Sequence, residues 1–270
     1  MADKRFDADL DVGLITVPVA AAADLSTGLI DDLVERFNRY GLVLLDFAAR
    51  PRAVENLLSL APLFGRVAPH KLADVFGVFH IHPREQPNPW YPATTDIAYE
   101  PHTDGAFQPV PEAVVALQCV VPASRGGESL LVSAPAMLGA VEGAFGVDAL
   151  AALSSPGAIR IERDGEETTG PVLFRAGSLA RIRYRSDPHA LIDVAEPARA
   201  AYRRMRDHLL DPRNVLKVAL RPGQVLLVDN YSVLHGRAGF EGGGGRDYKR
   251  LNFMGDGRLA DRLRFGFNLH

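Results

Sequence analysis

Residues 222–237 read PGQVLLVDNYSVLHGR. Pro222-Gly223 is turn chemistry, because proline presets φ and glycine tolerates the left-handed region. Gln224–Asp229 then forms a short apolar run bounded by turn signals, the pattern of a strand buried on both faces. His235 falls at the start of the next strand or in its loop. Upstream, Leu29, Ile30, Leu33, Val34, Phe37 and Tyr40 recur at helical spacing, with Gly41 as the stop. Leu42–Phe47 reads as another buried strand, and Arg52–Leu63 as a second helix ending near Gly65. Strand-like segments follow at Ala113–Val121, Ser129–Ser133, Ala158–Arg163, Pro171–Arg175, Ala180–Arg185, Val215–Leu220 and Tyr248–Met254. Helical segments interrupt them near Ala134–Phe145 and Ala195–Leu210. Many short strands with Gly and Pro turns predict a mainly β, α+β fold, an antiparallel sandwich or barrel with flanking helices. No repeat or low-complexity linker divides the chain, so residues 1–270 read as a single domain.

The composition is 47% hydrophobic and 23% charged, with a formal net charge of -3. No basic patch stands out, which argues against nucleic acid as a partner. The stretch RAAYRRMR at 199–206 reads as the solvated face of a helix. No apolar run approaches the ~20 residues of a membrane span, and MADKRFDADLD has no signal-peptide pattern. No membrane partner is expected, and a reducing cytoplasm is. Cys119, inside VVALQCVV, reads as a buried small hydrophobe. A homo-oligomer stays open.

Residues 83–101, PREQPNPWYPATTDIAYEP, hold prolines at 83, 87, 89, 92 and 101. Proline removes backbone donors, so this stretch is expected to be a long loop near an active site. It runs straight into His102-Thr103-Asp104. On an extended segment, residues i and i+2 face the same side, so one ion could take an imidazole nitrogen and a carboxylate oxygen from this pair. His235 offers a second imidazole. Two imidazoles and one carboxylate leave positions open on an octahedral metal, which suits non-haem Fe(II) oxygen chemistry. The remaining histidines need no such role: His208 lies on a charged helix, His270 is terminal, and His80 and His82 alternate as on a strand.

After His235 comes GRAGFEGGGGRDYKR, which places Arg246 and Arg250 eleven and fifteen positions further on. Both can face one side of a strand. An inward arginine beside a metal needs an anion, and its planar fork suits a carboxylate. The bland reading makes both arginines surface residues.

His102-x-Asp104, His235-Gly236-Arg237 and Arg246/Arg250 together resemble the Fe(II)/2-oxoglutarate-dependent dioxygenases of the taurine dioxygenase (TauD/TfdA) superfamily. GLVLLDF at 41–47, FGRV at 64–67, EPHTDGAF at 100–107 and GGESLLVS at 126–133 add to the likeness. The resemblance implies a double-stranded β-helix, or jelly roll. It implies Fe(II) held by His102, Asp104 and His235, with 2-oxoglutarate and O2 as co-reactants. Arg246 and Ser129 would hold the distal carboxylate of 2-oxoglutarate, and Arg250 would reach substrate or cosubstrate. An unactivated C–H bond would be hydroxylated, desaturated or cyclised, with release of succinate and CO2. Ala98 stands where the family pattern has a substrate-touching asparagine, so taurine is not expected as substrate. A pocket lined by Arg250, Tyr99, Phe107 and Trp90 would suit a small carboxylate or amino-acid-like molecule. Two rival readings use the same His/Asp/His set: a metal-dependent hydrolase, and a non-catalytic carboxylate-binding jelly roll.

Overall fold

A computed structural model describes residues 3–20, 26–47, 53–84, 91–241 and 245–269. The strands in chain order are β1 (Thr16–Val19), β2 (Leu42–Phe47), β3 (Phe79–Ile81), β4 (Tyr99–His102), β5 (Val114–Val121), β6 (Ser129–Ser133), β7 (Ile159–Arg163), β8 (Glu166–Gly170), β9 (Leu173–Ala176), β10 (Leu179–Ile182), β11 (Leu191–Val194), β12 (Leu216–Val218), β13 (Gln224–Asp229), β14 (Val233–Arg237) and β15 (Asp247–Phe253). The helices are α1 (Thr27–Tyr40), α2 (Ala53–Leu58), α3 (Ala61–Phe64), α4 (Ala134–Phe145), α5 (Val147–Leu153) and α6 (Glu196–Leu210). A six-stranded sheet runs β1-β2-β13-β5-β15-β3, and a four-stranded sheet runs β12-β6-β14-β4. Their pairings are antiparallel apart from β1 with β2. The two sheets form the jelly roll.

The strand Gln224–Asp229 is buried along its whole length, as its continuous apolar run requires. Leu226 and Val228 point between the sheets, beside Val115, Leu131 and Cys119. Val225 and Leu227 point outward, under Leu33 and Phe37 of α1. A third cluster packs α4, α5 and α6 through Met137, Leu153 and Met205. Cys119 is fully buried, as expected of a small hydrophobe. Helix α1 starts at Ser26, whose hydroxyl accepts from the Leu29 amide, and ends at Gly41 with φ 70°. A Cβ at Gly41 would meet the Ser232 hydroxyl at 2.8 Å.

Several boundaries differ from the sequence reading. The helix expected over Arg52–Leu63 is two pieces, because the Pro62 ring cannot share a helix with the carbonyl of Leu58. The loop expected to run to residue 101 gives way to β4 at Tyr99. Strands β1, β8 and β11 and helix α5 are additional to the expected elements. Among the described residues no helix is long and apolar enough to cross a membrane.

The chain crosses between the sheets at residues 229–232, and a buried ion pair fixes that crossing. Lys4 Nζ donates to Asp229 Oδ2 at 2.6 Å with both side chains fully buried. Asp229 also accepts from the Tyr231 amide at 3.1 Å and the Gly266 amide at 2.9 Å. Removing one partner leaves an uncompensated buried charge. Lys4→Met should therefore lose about 3–5 kcal/mol in urea unfolding, and Lys4→Met with Asp229→Leu should recover part of it. A single-variant loss under ~1 kcal/mol, the range of exposed pairs, would contradict this reading.

Candidate metal centre and active site

His102 ends β4 and His235 lies in β14, and the two are direct cross-strand partners. Residues 133 positions apart thus present neighbouring imidazoles, with ring centroids 4.9 Å apart. Gly236 permits this approach, since a Cβ there would overlap the backbone of Tyr99 and Pro101. Asp104 lies in the turn just beyond β4. Its backbone is clamped by Asn230, which accepts from the Asp104 amide at 2.8 Å and donates to the Asp104 carbonyl at 3.0 Å. The same Asn230 amide donates to the Glu112 carbonyl at 2.8 Å.

The three side chains converge. Asp104 Oδ1 lies 3.4 Å from His102 Nε2 and 3.7 Å from His235 Nε2, and one donor atom from each lies within 4.8 Å of the others. Two ~2 Å bonds from a single ion span such separations. His102 Nδ1 donates to the Glu100 carbonyl at 2.9 Å, which turns Nε2 toward the cluster. Burial pushes the His102 pKa down to about 4, so its lone pair is free at neutral pH. Burial pushes the Asp104 carboxyl up, but Arg250, His235 and His102 outweigh it and hold the acid well below its ordinary value. Asn252 Nδ2 donates to Asp104 Oδ2 at 2.9 Å. Neither ring nitrogen of His235 has a hydrogen-bond partner among the described residues. Buried polar atoms are rarely left so, and a metal would satisfy one of them.

Two cavities meet this cluster. The inner one, about 80 Å³, is lined by His102, His235, Ser129, Arg237 and Arg246. Arg246 is 4% exposed, and its Nε and Nη1 have no hydrogen-bond partner among the described residues. Its guanidinium lies 3.8 Å from the Tyr248 ring centroid. Burial pulls its pKa down, the mark of a desolvated cation that lacks an anion. The second cavity, about 340 Å³, is lined by Asp104, Arg250, Tyr99, Phe107 and Glu112, with His70, Arg163 and Arg185. Arg250 Nη1 lies 3.0 Å from Asp104 Oδ2. Tyr99 Oη accepts from Arg163 at 3.1 Å and also from Arg185, and its ring lies 4.3 Å from that of His102. The tip of the β7–β8 hairpin borders the second cavity, where Lys71 Nζ donates to the Asp164 carbonyl at 2.6 Å and Tyr91 Oη to its carboxylate at 3.2 Å. Burial, then the Asp104 charge, pushes the Glu112 acid up.

The structure thus brings His102, Asp104 and His235 together and sets Ser129 and Arg246 at one cavity. Arg250 and Tyr99 border both cavities, and Phe107 borders the second. Trp90 lies outside the described residues. The sequence reading passes over Asn230, Asn252, Glu112, Arg163, Arg185 and His70. Of these only Arg163 carried a local signal, through the Asp164-Gly165 hairpin turn beside it.

Comparison with known proteins gives consistent relatives. The family described as "Taurine catabolism dioxygenase TauD, TfdA family" matches residues 4–252. Mitochondrial trimethyllysine dioxygenase of Rattus norvegicus is 32% identical over 167 residues, which cover 56% of this chain and 39% of that protein. The matched segment therefore spans well under half of that relative. Among solved structures, asparagine oxygenase complexed with Fe(II), 3-hydroxyasparagine and succinate superposes with a TM-score of 0.68 at 16% identity, covering 95% of this chain and 100% of that one. The non-haem iron oxygenase OrfP, complexed with Fe, succinate and (3S)-hydroxy-L-Arg, gives 0.68 at 21% identity, covering 92% and 87%.

Each imidazole would supply one of the three donors that could hold a metal, so His102→Ala and His235→Ala should each lose tight Fe(II) binding in an anaerobic titration while circular dichroism is retained. Parental affinity in either variant would remove that histidine from the site.

Proposed function

Since the chain belongs to the taurine catabolism dioxygenase TauD, TfdA family, we propose that it is an Fe(II)- and 2-oxoglutarate-dependent oxygenase. It would use O2 to hydroxylate, desaturate or cyclise a small amino-acid-like substrate, releasing succinate and CO2. The observation that carries this reading is Arg246, a buried guanidinium with unpartnered nitrogens in the cavity that also holds His102 and His235. A 2-oxoglutarate distal carboxylate supplies the anion it lacks, with the Ser129 hydroxyl as a second donor. A zinc hydrolase would use the three ligands but leave Arg246 without a partner.

The bound iron and 2-oxoglutarate would supply the oxidising power for C–H cleavage. The chain supplies the rest. His102 and Asp104 would provide donors already deprotonated at neutral pH, and His235 would add a third. The cavity that contains Ser129 and Arg246, walled by Val115, Leu131, Leu226 and Val228, would hold the cosubstrate between the sheets. In the larger cavity, lined by Asp104 and Arg250, a substrate would lie beside the ligand cluster, and proximity of this kind lowers the barrier by fixing the reacting bond. Asparagine oxygenase and OrfP are complexed with hydroxylated amino acids, which supports an amino-acid-like substrate here. Tyr91 and Pro92 line the second cavity, which supports an active-site role for the 83–101 segment within one catalytic unit spanning 1–270.

Arg246→Gln removes a charge-assisted bidentate contact. Such hydrogen bonds are worth roughly 1.5–3 kcal/mol, so 2-oxoglutarate affinity should fall by at least ~10-fold. Arg250→Gln should weaken prime-substrate binding more than 2-oxoglutarate binding. Anaerobic titration of 2-oxoglutarate into the iron-loaded proteins, read from the visible charge-transfer band, measures both. A larger 2-oxoglutarate effect from Arg250→Gln would reverse the two assignments, and no binding to the parent would sink the oxygenase reading.

A further inference from the structure

Glu112 is a carboxylate with an unmet need. Its side chain is 6% exposed, yet it lines both the 340 Å³ cavity and an adjoining, more open cavity of about 620 Å³. Its Oε2 has no hydrogen-bond partner among the described residues. Its Oε1 receives a 3.5 Å contact from Asn252 Nδ2, whose shorter bond goes to Asp104, and the residue's own backbone amide also favours the carboxylate. The Asn230 bond to its backbone carbonyl anchors the residue. Gly105 leaves room for the carboxylate, since a Cβ there would overlap Oε2. A buried carboxylate oxygen is costly without a donor, and a ligand in the cavity could supply one.

The same cavity carries the opposite pole. Arg250 lies 3.0 Å from Asp104. Once Asp104 shares its charge with a divalent metal, Arg250 needs a second anion. Asp104 is therefore flanked by a cation that seeks a carboxylate and an acid that seeks an ammonium. Resting on the oxygenase reading, we propose that Glu112 determines specificity: it receives the ammonium of an amino-acid substrate whose carboxylate is held by Arg250. A mono-anionic acid of the same length would leave Glu112 buried without a donor, and the pocket discriminates against it on that ground.

The test uses the iron- and 2-oxoglutarate-loaded protein with the twenty L-amino acids and their α-hydroxy counterparts, in which a neutral hydroxyl replaces the ammonium. Succinate release and anaerobic binding are the readouts. At least one amino acid should stimulate succinate formation where its α-hydroxy counterpart does not. Glu112→Gln keeps the shape and removes the charge. It should weaken binding of that amino acid by ~10-fold or more, the loss of one charge-assisted hydrogen bond, while Fe(II) and 2-oxoglutarate affinities stay within ~2-fold of the parent. The inference is overturned if α-hydroxy acids stimulate equally, if no amino acid responds, or if Glu112→Gln binds the amino acid like the parent. It is also overturned if Fe(II) affinity falls as far as amino-acid affinity, because Glu112 would then merely support Asp104. Normal 2-oxoglutarate binding in the parent with any of these results removes this inference alone. Absence of that binding removes the oxygenase reading and this inference together.

Discussion

The amide of Asn230 holds the site together. One fully buried side chain grips the backbone of Asp104 from both sides and the carbonyl of Glu112. Asn230 belongs to the crossing that leads into β14, so the clamp sets the His102-x-Asp104 turn against the strand that carries His235. Neighbouring Asp229 faces the other way and is spent on Lys4 and the amides of Tyr231 and Gly266. Two adjacent polar residues thus divide the labour. Asp229 fixes where the crossing lies, and Asn230 fixes what the crossing holds.

Buried charge is handled in two ways in this molecule. At Lys4–Asp229 the buried ammonium meets a carboxylate and the Arg264 carbonyl, and the pair is structural. Around the site the matching is deliberately incomplete: His235, Arg246 and Glu112 all keep buried polar atoms without partners. Folding pays for such omissions elsewhere, here through three apolar clusters on both sides of the large sheet and behind the small one. Functional sites are where local rules of satisfaction are expected to break.

The sequence was most legible where burial is simple. Gln224–Asp229 shows as a strand because both its faces are covered. Arg246 and Ser129 are singled out by their offsets from family motifs, and both line one cavity. The polar strand Glu166–Gly170 is harder, since half its residues face water and no apolar alternation marks it, although Asp164-Gly165 signals the hairpin. Pro62 announces the break in the second helix. The roles of Asn230 and Glu112 leave no local trace, because each depends on groups brought near by sheet topology. Arg185 is likewise silent: it lies outside any strand, and its contacts with Asp187 and Tyr99 exist only after folding.

Strand β4 lies at the edge of the four-stranded sheet and pairs there with β14. Its ladder partner is therefore made 133 positions after it. During synthesis the chain carries His102 and Asp104 through all that length with no second histidine to complete the donor set and no strand to hold them. Contacts of such long range close late, because loop entropy must be met before they reward it. The cluster of His102, Asp104 and His235 is thus a checkpoint of completed folding rather than its nucleus, and a chain truncated before residue 235 has no means of assembling it.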